Sequence, residues 1–241
     1  MSGVDVAKLM DESVYKDVEL AYRDRFAEFG DTPKGVYWND KDTQELRFER
    51  LCRSLFLDAP GTTPVIHDVG CGTGALHEYF IANAIEHRYV GTEMVAEMAD
   101  VCRNKIPDGT IHTGNFLEQD AGRFDFVVSS GSCNFRGSAE AQAWHRNTLA
   151  LLERMYERAT RAIAFNFLTA HTTIPPDPTL HYLDPAEIYE YCRSTMSRFV
   201  ILDQSYPLFE VTVTVYRPEY VESAFSSSRF AKYFGSTPET R

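Results

Sequence analysis

Residues 65–76 read VIHDVGCGTGAL. An apolar pair, Val65-Ile66, leads to Asp68, and glycines follow at alternate positions, Gly70, Gly72 and Gly74. Beyond them residues 75–84 read as a helix. Strand, glycine turn and helix make a βα unit of the kind that cradles a nucleotide. The glycines let the backbone turn tightly and approach a ligand with no Cβ in the way, and the helix start offers unpaired N–H groups. Gly70, Gly72 and Ala75 fit the Gly-x-Gly-x-x-Gly/Ala spacing of a dinucleotide fold. Asp68 argues the other way: a carboxylate just before the turn repels a pyrophosphate and suits a ligand that presents an ammonium group. The plain alternative is a turn with no ligand, but three alternating glycines behind a strand-end carboxylate are costly for a mere turn.

Around this unit lie 241 residues, enough for one α/β domain with a substantial core. The formal net charge is −11, and Lys and Arg are scattered rather than clustered, which disfavours a nucleic-acid partner. Five cysteines (Cys52, Cys71, Cys102, Cys133, Cys192) show no Cys-x-x-Cys spacing, so neither a disulfide framework nor a zinc site is expected. The opening MSGVDVAKLMDE carries no apolar signal core, and no apolar run approaches a membrane span. A cytoplasmic protein with no membrane partner is the expectation.

In chain order, residues 5–29 read as one helix with an apolar stripe from Val6 to Phe29, ended by Gly30. Tyr15, Tyr22, Tyr37 and Trp38 suit it to walling off a small substrate. A loop at 31–40 precedes a second helix at 43–57, for which Asp42 and Glu45 offer a capping box. Strands are then expected at 64–69, 88–93, 110–113, 124–129 and 162–168, with helices between them, the last at 139–158. This is a βα alternation that builds a parallel sheet. Asp184-Pro185 opens a short helix. Strands at 198–202 and 208–216 are close enough in sequence to pair antiparallel. Residues 217–241 read as a polar, Ser-rich tail. The division is a helical lid or extension (1–61), a core (62–216) and a tail (217–241).

Several residues downstream of the turn suit a nucleoside ligand. Glu93 ends the second strand, where a carboxylate accepts both ribose hydroxyls. Met94 follows and can pack on a base. Asn115 and Phe116 follow the third strand and can meet the adenine amino group and its face. The loop 129–135, SSGSCNF, lies at the carboxyl end of the fourth strand, where open α/β sheets bind ligands. Ser130 is small enough there for close backbone contact. Asn134 and Phe135 are the first polar and aromatic groups able to face a second substrate.

These pieces, HDVGCGTG (67–74), YVGTEM (89–94), GNFLE (114–118) and FDFVVSSGS (124–132), resemble the class I S-adenosylmethionine (SAM)-dependent methyltransferases in order and spacing. The resemblance covers roughly 62–216. It implies a Rossmann-like, seven-stranded, mostly parallel sheet with helices on both faces and the last strand antiparallel, here with an N-terminal helical extension. It also implies SAM as methyl donor and S-adenosylhomocysteine (SAH) as product. Asp68, Gly70, Cys71, Gly72 and Gly74 would lie near the methionine moiety, with Glu93 on the ribose. One departure is Asn115, where the family often has Asp. Arg47, in the helix before the turn, is either a solvated helix charge or a group that reaches the ligand's carboxylate. The Asn/Asp-Pro-Pro-aromatic sequence of base methyltransferases is absent after the fourth strand, and so is the acidic cluster of catechol-type enzymes. A small-molecule N- or O-acceptor and no metal are therefore expected. Tyr22, Trp38, Phe135 and Tyr182 are candidates for the acceptor pocket. His171, His181 and Asn134 are candidates for catalysis, the histidines as bases. The alternatives are a protein or RNA methyltransferase and a SAM-binding subunit without activity. The state expected is monomer or homodimer.

Overall fold

A computed structural model of the chain describes residues 13–57, 63–119 and 122–234. Its centre is a sheet in the order β3-β2-β1-β4-β5-β8-β7. The first strands are β1 (Val65–Val69), β2 (Arg88–Glu93), β3 (Thr110–Thr113), β4 (Phe124–Ser130) and β5 (Ala159–Thr169), all mutually parallel. β8 (Glu210–Tyr216) is inserted antiparallel between β5 and the edge strand β7 (Val200–Asp203). The expected sheet gains one member: two residues, β6 (Tyr182–Leu183), pair with the end of β5.

Helices cover both faces, as βα crossovers require. One face carries α2 (Lys41–Arg53), α3 (Ala75–Ala82), α4 (Ala96–Lys105) and α7 (Pro218–Ala224). These bring Phe48, Leu51, Phe80, Cys102 and Tyr220 onto Ile66, Phe126 and Val128. The other face carries α5 (Ala141–Arg158) and α6 (Pro185–Thr195), whose Leu152, Met155 and Ile188 pack on Val127, Ile163 and Val213. Each such fully buried side chain contributes roughly 1.5–3 kcal/mol. α1 (Ser13–Phe29) precedes a short 3-10 turn (Pro33–Val36). Residues 5–12 of the expected first helix lie outside the described residues.

Two expectations need correction, in α2 and in the stretch after Tyr216, and β8 shows a further feature. The cap of α2 is Asp40, whose carboxylate accepts the Thr43 N–H at 2.8 Å, so the helix starts two residues earlier than 43 and ends at Arg53. Strand β8 does alternate, but its polar side is as buried as its apolar side. α2 lies over it, and Ser54 Oγ meets Thr214 Oγ1 at 2.8 Å. The stretch after Tyr216 is not merely a tail: α7 buries Tyr220 and Val221 in the core, and a 3-10 turn follows at Ser228–Tyr233. Residues 235–241 lie outside the described residues.

Candidate active site

The carboxyl ends of β1, β2 and β4 meet at one point because register places Asp68 beside Gly91 and Val128. The glycine turn leaves β1 there, and both Gly70 N–H and Cys71 N–H donate to the Thr92 carbonyl, at 2.8 and 3.1 Å. Gly70, Gly72 and Gly74 all have positive φ (+74°, +56°, +89°), a backbone that L side chains adopt only at a cost. At Gly70 space forbids a side chain as well: a Cβ would lie 2.3 Å from Ser132 Oγ. That hydroxyl and Ser129 Oγ both donate to the Val69 carbonyl, tying the β4 loop to the turn.

Beside the turn opens a cavity of about 540 Å³. Asp68, Gly70, Cys71, Gly72, Glu93, Met94, Asn115, Phe116 and Ser130 all line it, together with Tyr22 and Trp38. Asp68 and Glu93 are both buried there with no cationic side-chain partner among the described residues. Asp68 accepts one hydrogen bond, from the Tyr89 hydroxyl at 2.8 Å. Its burial, which the Tyr89 bond only partly offsets, and the nearby Glu93 charge push it from 3.8 up to about 7. Glu93 accepts the N–H groups of Gly72 and Val95, both at 2.9 Å, and burial raises its carboxyl too.

Two buried carboxylates beside a backbone cradle fit SAM, whose ammonium would neutralise Asp68 and whose ribose hydroxyls would donate to Glu93. Phe116 stands edge-on to the buried His67 ring and closes one wall. The Asn115 amide is engaged at both ends, accepting the Leu117 N–H and donating to Glu118.

Other expected site residues lie elsewhere. Gly74 does not line the cavity; it starts α3 where Ile106 and Cys102 pack so close that a Cβ would sit 2.9 Å from Ile106 Cδ1. Arg47 is buried against β8: its Nε donates to both Glu210 oxygens at 2.9 Å, and its guanidinium stacks 4.1 Å over Trp38. His171 is exposed beside Asp184, at the start of α6. His181 is buried with Nε2 unpartnered among the described residues, and desolvation lowers its pKa to about 4. Neither histidine lines the cavity. Phe135 stacks on Tyr37 at 4.8 Å, and the Tyr182 hydroxyl accepts the Asp177 N–H. Asn134 Oδ1 accepts the Leu168 N–H, while its buried Nδ2 has no partner among the described residues. A Cβ on Gly131 would lie 2.3 Å from Trp38 Cη2 and 3.5 Å from that same Nδ2, so the Trp38 ring and the Asn134 amide both approach Gly131.

Some residues in or behind the cavity wall carried no sequence signal. Tyr89 supports Asp68 only because β2 pairs beside β1, and Gln44 faces the cavity only because α2 packs where it does. Trp144 reads as an ordinary helix-face aromatic, yet it lines the cavity and packs against Tyr15.

A glycine turn and two buried acids thus meet at the strand ends of a Rossmann-like sheet. Residues 66–155 match the family described as "Methyltransferase domain". A Mycobacterium tuberculosis protein named "Putative methyltransferase Rv1506c" is 28% identical over 152 residues, spanning 62% of this chain and 91% of its own. The fold is shared with the DhpI–SAH complex (15% identical, 86% and 98% of the two chains, TM-score 0.60). It is also shared with the CcbJ methyltransferase from Streptomyces caelestis (15%, 82% and 98%, TM-score 0.55). Over these residues the chain is similar to methyltransferases, and its sheet shares the fold of SAM-dependent members of that class.

Proposed function

We propose that this enzyme moves the SAM methyl group to a nitrogen or oxygen of a small-molecule acceptor. The observation that carries this is the enclosed cavity that joins the two buried acids to an aromatic wall contributed by Tyr22 and Trp38. SAM supplies a methyl group already activated on sulfur, so the chain's own work is to align an acceptor and exclude water. Asp68 holds the ammonium end, Glu93 the ribose, and Met94 and Phe116 flank the base. Gly70, Cys71 and Gly72 present backbone to the ligand, and Ser130 borders the point where donor and acceptor meet. Asn134 joins the acceptor site when Trp38 moves off Gly131. The net charge of −11 disfavours an RNA acceptor. The protein is expected to work in the cytoplasm, without a metal.

Calorimetry with SAH tests the donor site. Asp68→Ala and Glu93→Ala should each weaken binding at least tenfold while circular dichroism stays that of the parent. Unchanged affinity in either variant removes that residue from the site, and binding of NADH in place of SAH discards the reading.

A further inference from the structure

The acceptor side of the cavity carries information about what is methylated. Beyond the strand-end residues it is walled by Tyr15, Tyr22, Trp38 and Trp144. Neither the Tyr15 nor the Tyr22 hydroxyl has a hydrogen-bond partner among the described residues. No histidine lines the cavity among those residues, and burial raises both phenols above their usual range, so neither is a base near neutral pH. The carboxylates that line the cavity are otherwise engaged, Glu19 by Arg23, Asp31 and Glu78 by Lys105, and Asp68 and Glu93 by the donor on the proposed reading, so an alcohol or phenol meets no free base.

An acceptor that arrives as an anion meets a different obstacle. The lining carboxylates are Glu19, Asp31, Asp68, Glu78 and Glu93, and the cations only Lys41 and Lys105. Lys105 is already held by Asp31 at 2.6 Å and Glu78 at 2.8 Å. Lys41, at the rim, reaches Glu45 at 3.3 Å. A carboxylate or phosphonate would therefore enter a field of its own sign.

We infer, on the reading that this cavity takes SAM, that the acceptor is a small amine whose apolar body lies against Tyr15 and Tyr22. The neutral amine nitrogen needs no base before it attacks. Its lone pair forms the new N–C bond, the electron pair of the broken S–C bond stays on sulfur, and the positive charge passes to nitrogen. The proton then shed from nitrogen goes to water at the open rim. Aromatic walls suit a charge that develops on nitrogen, because a ring's negative face attracts an alkylammonium while forming no competing hydrogen bond.

Benzyltrimethylammonium, which resembles the methylated product and cannot react, probes this directly. Titrated calorimetrically into the SAH-loaded protein, it should bind saturably, whereas benzoate and benzylphosphonate should not. Tyr15→Leu and Tyr22→Leu should each weaken the cation's binding at least tenfold, and the Tyr→Phe versions, which keep the ring, should stay within twofold. SAH affinity measured on the same samples reports that each variant is folded. Binding of either anion instead, or of none of the three probes, overturns the amine assignment and leaves the donor site standing. Failure of SAH to bind the parent protein removes the donor reading and this inference with it.

Discussion

Asp68 is held in a state that the proposed ammonium ligand would have to change. Without a cation nearby its carboxyl titrates about 7, and an ammonium at the same place favours the ionised form. Binding below neutrality must therefore expel a proton. SAM affinity should fall as pH drops from 7.5 towards 5.5, and calorimetry at pH 6.5 in buffers of different ionisation enthalpy should record proton release that Asp68→Asn abolishes. Equal heats in all buffers would contradict this. The sign for stability is the reverse of a salt-bridged acid's. The folded protein keeps this proton longer than the unfolded chain, so Asp68 costs stability as pH rises from about 4 to about 7. Arg47 is the opposite kind of residue, a charge fully matched. Its removal in Arg47→Met strands Glu210 in the core and should cost about 3–5 kcal/mol by urea unfolding, with much of that recovered in the Arg47→Met, Glu210→Met double variant. Asp68 and Glu93 were legible because strand-end carboxylates near glycines have little structural use. Arg47 was not, because its partner lies 163 positions along the chain and only the packed sheet brings them together.

Strands were the readable elements. β2 and β3 fall at the expected residues, since apolar runs bounded by turn residues leave little freedom. Helix ends were less so: Asp40, Asp42 and Glu45 compete for one cap, and local sequence alone does not rank them. α7 was misread because Pro218, Glu219 and Ser223 look like a tail until Tyr220 finds Phe126. The β4 loop is where an element governs access to the site. Gly131, at φ +75°, leaves room for the Trp38 ring. Gly131→Ala should cost at least about 1–2 kcal/mol from the backbone alone, and it should also dislodge Trp38 and weaken SAH binding. Adding Trp38→Ala should remove the collision and leave only the backbone cost. If the two substitutions prove additive in urea unfolding and in SAH affinity, the ring does not rest on that glycine.

For the whole molecule, ligand and fold are linked through the cavity. SAH at a hundred times its Kd should add about 2.7 kcal/mol. For a chain of this size that raises Tm by roughly 5–11 °C, measured by differential scanning calorimetry; an unmoved transition would mean that the folded state offers no such site. Class and donor could be read from residues 65–132, whose chemistry is local in sequence. Of the aromatic wall, Tyr15, Tyr22 and Trp38 were singled out in the sequence, whereas Trp144 was not, because only the packing of α5 brings it to residues from the other end of the chain.

The cover over that pocket is fastened at the far end of the chain. Trp38 leans on Arg47, Arg47 is gripped by Glu210, and α2 is bonded again through Ser54 to Thr214 and through Leu57 to Tyr220. A chain still being synthesised presents its glycine turn and both acids long before Glu210 exists. Until β8 is in place between β5 and β7, the Glu210 and Thr214 fastenings cannot form.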